Sequence, residues 1–143
     1  MQDHQEERLP DIRHTILLEA TIDKVWKAVA TSDGIAAWFM PNTFQPVLGS
    51  EFTLDSGLYG TSHCKVIEFD PPRRLSFTWG EDWQVSFELR EVEGKTELTL
   101  IHSGWKSGKL AVESGEVHDV IRDRMDNGWG SIVLKRLREV VEE

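Results

Sequence analysis

Val117, Ile121, Met125, Trp129, Val133, Leu137 and Val141 stand four residues apart in one unbroken column near the end of the chain. Residues at i and i+4 share a helix face, so the column predicts an amphipathic helix over residues 116–142, widened by Val120, Ile132 and Val140. At 1.5 Å per residue that helix is about 39 Å long, enough to cross a whole sheet. Its polar flank, with Arg122, Asp123, Asp126, Lys135, Arg138 and Glu139, reads as a solvated face. Gly128 and Gly130 bracket Trp129, and each costs about 1 kcal/mol relative to Ala in a helix interior. A close approach to the sheet, a kink, or ligand access beside Trp129 would offset that cost.

The rest of the chain supplies the sheet. The polar first ten residues are expected to be frayed. "DIRHTILLEA" alternates as a strand with Ile12, His14, Ile16, Leu18 and Ala20 on one side. Thr21 is a suitable N-cap for a helix over 22–30, and Ser32-Asp33 starts a second one that ends near Trp38, before Pro41. Two prolines, an Asn and a Gly make "MPNTFQPVLGS" a loop. From 51 to about 103 strand follows strand: "EFTLD", "TSHCKVIEFD", "LSFTWG", "DWQVSFELREV" and "KTELTLIHS". Phe52 and Leu54 share a face, as do Leu75, Phe77 and Trp79, and Val85, Phe87 and Leu89. The opposite faces are polar, which predicts an antiparallel meander with one wet face and one dry face under the long helix. The fold class is therefore α+β, in one domain over residues 11–143, with "GWKSGKLAVESGE" as the long loop between sheet and helix.

Composition narrows the partners. A formal charge of −9 disfavours nucleic acid and anionic membrane, both of which need clustered Lys and Arg. No apolar run approaches the roughly 20 residues of a membrane span, the opening "MQDHQEERLP" lacks a signal-peptide pattern, and the lone Cys64 suits a reducing compartment, so a cytoplasmic location is expected. Six tryptophans, at 26, 38, 79, 83, 105 and 129, exceed what a small core needs. Trp offers a large apolar body with one N–H to place, which suits a pocket wall as well as a core.

Several stretches together resemble the activator of 90-kDa heat-shock protein ATPase homologue-like group of the START-like (SRPBCC, Bet v 1-type) superfamily. "ATIDKVWKAVATSDGIAAWF" is similar to the group's opening, "GTSHCKVIEFDPPRRLSFTW" to its central hairpin, and "LTLIHSGW" and "NGWGSIVLKRLREVV" to its last strand and C-terminal helix. The resemblance spans about residues 12–141. Gly49-Ser50 departs from the paired glycines of many members, and the loop from 41 to 60 is short. What it implies is a helix-grip fold, a curved antiparallel sheet wrapped around the long helix with a hydrophobic cavity between them. Relatives in the superfamily include lipid, sterol, polyketide and hormone binders, some cyclases, and a co-chaperone domain.

The chemistry-bearing residues are few. His63 and Cys64 are adjacent and so point to opposite strand faces, and His102 and His118 lack a short ligand spacing, so neither a metal site nor another cofactor is expected. Phosphate loops, nucleophile elbows and dinucleotide fingerprints are missing from the sequence. Glu81-Asp82 sits at a turn and reads as solvated charge. His102 is the exception, because its strand alternation sends it inward beside Leu98 and Leu100. The expected function is non-enzymatic binding of a small apolar, aromatic or polyketide-like ligand between sheet and helix. Its expected wall is Trp38, Phe39, Phe52, Leu54, Phe77 and Trp79, continued by Phe87, Leu89, Leu100, Met125 and Trp129, with His102 as polar handle and Trp105 at the rim. The alternatives are a chaperone-interacting module and a cyclase or dehydratase with His102 as acid or base. A monomer or weak dimer is expected.

Overall fold

The computed structural model describes residues 9–57, 60–105 and 118–142. Strand β1 (Ile12–Leu18) leads into helices α1 (Ile22–Val29) and α2 (Ser32–Trp38). A meander follows: β2 (Glu51–Asp55), β3 (Thr61–Asp70), β4 (Arg74–Trp79), β5 (Trp83–Val92) and β6 (Lys95–Ser103). The C-terminal helix comes in three parts: α3 (His118–Gly128), a π-helical segment (Trp129–Val133) and α4 (Leu134–Val141). The sheet order is β1-β6-β5-β4-β3-β2, antiparallel throughout. This is the expected α+β helix-grip fold. Most of the expected "GWKSGKLAVESGE" loop, and residues 1–8 of the expected frayed end, lie outside the described residues.

Local signals set the helix starts. Thr21 Oγ1 accepts the Lys24 N–H at 3.3 Å, and Asp23 adds negative charge to the first turn of α1. The cap of α2 is Thr31 rather than Ser32; its hydroxyl accepts the Gly34 N–H at 3.0 Å. Helix α2 ends at Trp38, as its sequence predicts.

Strand register builds the core in rows. Ile12, His102, Val85, Phe77 and Val66 are successive partners across the sheet, as are His14, Leu100, Phe87, Leu75 and Phe69. A bulge between Val66 and Glu68 makes the second row possible. Strict alternation from Cys64 would send Glu68 inward; the extra residue returns it to the outer face and brings Phe69 in, against Trp26 at 5.7 Å between ring centroids. On the outer face Ser76 and Ser86 are paired in register, buried, and 2.7 Å apart, while Glu68 accepts from Ser76 at 2.6 Å and from Arg74 at 2.9 Å. Those donors hold the Glu68 carboxyl below its ordinary range, Ser76 contributing most and Arg74 next.

The helix column does not run unbroken. Ile121 and Trp129 are buried, but the next fully buried position is Leu134, five residues on, followed by Leu137 and Val141. Within the π segment the Leu134 N–H bonds to the Trp129 carbonyl, so one extra residue enters the turn and the buried face advances by one. Val133 is consequently only part-buried; before the π segment Met125 is also part-buried, and Val120 and Ile132 are 47% and 57% exposed. Neither Val120 nor Ile132 widens the apolar face, contrary to expectation; Val140 does pack against the core.

The polar flank also does more than meet solvent. Edge strand β1 and its approach offer open backbone groups, and the helix supplies partners for them: Arg122 donates to the Pro10 carbonyl at 2.7 Å and Arg138 to the Leu17 carbonyl at 3.1 Å. His14 Nε2 donates to Asp126 Oδ1 at 2.7 Å. Gly130 accounts for one close approach, since a Cβ there would stand 3.0 Å from His14 Cε1.

Candidate functional site

His102 occupies β6 between its partners Ile12 on β1 and Val85 on β5, and is fully buried. Four indoles enclose its ring. Trp79 stacks at 5.5 Å between centroids and Trp105 is tilted at 4.8 Å; Trp83 and Trp129 present edges at 5.3 and 6.1 Å. The Trp129 Nε1–H donates to His102 Nδ1 at 3.0 Å, and the Trp105 Nε1–H donates to the His102 carbonyl at 2.9 Å.

That first bond decides the chemistry. With its Nδ1 lone pair engaged, the neutral ring carries its proton on Nε2, which has no partner among the described residues. Burial pulls the His102 pKa down to about 3, with the nearby Arg122 charge as a lesser cause. The imidazole is therefore a neutral hydrogen-bond donor at neutral pH. Its basic nitrogen is occupied and its N–H is a weak acid, which suits positioning rather than proton transfer. Trp83 Nε1 is a second buried donor without a partner among the described residues. Cys64 is buried on the inward face of β3, while its neighbour His63 is exposed; burial pushes the thiol up to about 12, so the protonated form prevails and it is no ready nucleophile.

In front of this cluster lies a cleft of about 630 Å³ between the sheet and the first half of the C-terminal helix. Phe39, Met40, Trp79, Trp83, Met125 and Trp129 form its apolar wall, with Ile121 and Val133 from the helix. The rings abut one another: Phe39 stacks on Trp129 at 5.2 Å and meets Trp79 edge-on at 5.7 Å, and Trp79 meets Trp83 at 5.6 Å. Asp55, Glu81, Asp82 and Arg124 supply the charge, and Ser56 and Ser62 the hydroxyls. Gly128 also lines the cleft, and a Cβ built there would meet nothing within 4 Å. Its lack of a side chain keeps that space open.

Of the residues expected to line a pocket, Phe39, Trp79, Met125 and Trp129 do so. Trp38, Phe52, Leu54, Phe77, Phe87, Leu89 and Leu100 do not line this cleft; they are buried in the core, where helices α1 and α2 join the C-terminal helix in covering the same dry face. Trp38, for example, donates to the Ala28 carbonyl at 2.7 Å. His102 stands one ring behind the cleft wall. Trp105, expected at the rim, is 1% exposed and packed against His102, because Gly104 turns the chain back toward the sheet. Gly104 has φ +94°, and a Cβ on it would sit 2.2 Å from the Asp82 carbonyl, so glycine is required twice over. Sequence reasoning missed Trp83, Met40 and the acidic turn. The usable signal was "WGEDW", a hairpin closed by two tryptophans with two carboxylates at its tip.

Comparison with known proteins agrees with this architecture. A solved Bacillus halodurans protein superposes with a TM-score of 0.86 at 45% identity, over 94% of this chain and 99% of that one. DynU16, a protein of the dynemicin biosynthetic locus, gives a TM-score of 0.74 at 24% identity over 94% of this chain and 48% of that one. An HSP90 activator from Plasmodium falciparum gives 0.74 at 18% identity over 92% and 96%. These last two show likeness of fold. A search of curated proteins found no significant match. The family model for activator of Hsp90 ATPase homolog 1-like proteins matches residues 19–142, and the chain belongs to that family.

Proposed function

We propose that this protein binds a small, largely apolar aromatic molecule in the cleft beside Trp129, without chemically altering it. The observation that carries the reading is the cleft itself, whose size falls in the range of small-molecule sites and whose wall is a continuous run of aromatic and thioether side chains. The neutral donor His102 is its positioning residue: a shift of the indoles in front of it would let its Nε2–H meet an acceptor on the ligand. That the neighbour DynU16 belongs to a biosynthetic locus for a natural product agrees with this class of ligand. The test is a panel of apolar aromatic compounds read by tryptophan fluorescence and by melting temperature. Binding by the natural chain and its loss in Gly128→Leu, which fills the open space, supports the reading; a panel that shifts neither signal overturns it.

A second reading, contact with the ninety-kilodalton chaperone, draws on the family's description and on the activator from P. falciparum. It predicts binding through the protein surface, unaffected by Gly128→Leu. Titration of the purified chaperone with no binding at tens of micromolar ends it.

A further inference from the structure

Three of the residues lining the cleft, Phe39, Met40 and Pro41, belong to neither helix nor strand. They form the stretch that leaves α2, and such a stretch keeps one shape only where bonds other than a regular ladder hold it. Proline contributes to that hold: its ring fixes φ at Pro41 and steers Met40 away from the helix. Asn42 contributes more. Its side-chain amide donates to the Ser32 carbonyl and to the Met40 carbonyl, both at 3.0 Å, and its Oδ1 accepts the Phe44 N–H at 3.0 Å. The Ser32 hydroxyl donates in turn to the Asn42 carbonyl at 3.2 Å. On the other flank the Pro41 carbonyl accepts the Asp55 N–H at 2.9 Å, and Asn42 is bridged to Leu54 on the edge strand β2. One residue thus ties this part of the wall to the first turn of α2 and to the sheet edge. The position calls for two donors and one acceptor on a short side chain, which asparagine carries; aspartate would keep the Phe44 bond but turn its second oxygen toward two carbonyls.

We propose, resting on the reading of the cleft as a binding site, that Asn42 is a positioning residue of that site, holding Phe39, Met40 and Pro41 in place before the ligand arrives. A wall set in advance spares the ligand the cost of ordering it, and immobilising one long side chain on binding costs about two- to tenfold in affinity. Phe39 carries the effect into the site, because its ring stacks on Trp129 at 5.2 Å and on Trp38 at 5.4 Å.

The methionines offer a direct readout. Met40 lines the cleft from this stretch and Met125 from the C-terminal helix, and the chain's third methionine is Met1. With isotope-labelled methionine methyl groups followed by NMR, the Met40 resonance of the natural chain should stand apart from that of free methionine. In Asn42→Ala and Asn42→Asp alike it should collapse toward the free position while Met125 keeps its place. Calorimetric affinity for 2-naphthylmethanol should fall in both variants by roughly fivefold, the cost of ordering the released wall. A Met40 resonance that keeps its place in both variants overturns the proposal, as does one that moves without loss of affinity; the binding reading then stands. If both methionines move together in both variants, Asn42 serves the fold at large, and the proposal is overturned as well. If 2-naphthylmethanol does not bind the natural chain, the binding reading falls and this proposal with it.

Discussion

Two glycines separated by one residue in the same helix should respond differently to the same substitution. Gly128 and Gly130 flank Trp129 at the junction of α3 and the π segment, and Gly128 has ordinary helical φ and ψ of −62° and −45°. Replacing a helix-interior glycine by alanine stabilises by about 1 kcal/mol, mostly by restricting the unfolded chain. At Gly128, which lines the cleft, no steric contact opposes that gain, because the new methyl has no atom within 4 Å. For a chain of this length the melting temperature should rise by about 3–4 °C. At Gly130 the methyl arrives 3.0 Å from His14 Cε1, and the ring is not free to retreat, since its Nε2 is held 2.7 Å from Asp126. Displacing that ring should cancel the propensity gain and leave Gly130→Ala near neutral. Unfolding free energies of the two variants from urea titration should therefore differ by about 1 kcal/mol. The assignment is checked by repeating Gly130→Ala in a His14→Ala background, where the full gain should return. A Gly130→Ala protein as stabilised as Gly128→Ala, or a difference that survives removal of His14, refutes the reasoning.

Two further outcomes follow from the indole cluster. Trp129→Phe keeps much of the ring volume but leaves the buried Nδ1 of His102 without its donor, at a cost of about 1–3 kcal/mol beyond that of the truncated ring. The excess should vanish in a His102→Leu background, and an equal cost in both backgrounds would contradict the bond's role. The pH dependence has a definite sign: above about 6.5 both folded and unfolded His102 are neutral, whereas between there and about 3 only the unfolded chain takes up the proton. Stability should therefore fall as pH falls, by about 2 kcal/mol more from pH 7 to 5 in the natural chain than in His102→Leu. Parallel stability profiles for the two proteins would show that burial does not hold the ring neutral.

The fold was legible because each element announced itself with a local signal. Alternation in "KTELTLIHS" places Leu98, Leu100 and His102 inward, Thr21 caps its helix, and the wet faces of β4 and β5 are polar where they meet solvent. The failure along the C-terminal helix has its physical origin in a change of register. The π turn at Trp129 inserts one residue, so a strict period of four puts Val133 where Leu134 takes the buried place. Ile132, inside the π segment, is a casualty of that extrapolation. The site was legible in kind, from its tryptophans and its inward histidine, but not in position. An inward side chain lines a cleft only where the covering helix stands off the sheet, and that depends on which tertiary layer lies over it.

The π turn and the cleft are linked. An extra residue at Trp129 turns the indole edge toward His102 and lets the helix resume its contact with the sheet one position later, at Leu134. Before that point the helix contributes Ile121, Met125 and the bare backbone of Gly128 to the cleft; after it, Leu134, Leu137 and Val141 close the core. A regular helix with alanine at 128 would gain propensity, yet it would narrow the cleft and move the donor on which the His102 tautomer depends. The local cost of glycine and of a π turn is thus offset by an open wall and an oriented imidazole, which makes this stretch of helix the place where stability and ligand binding oppose each other.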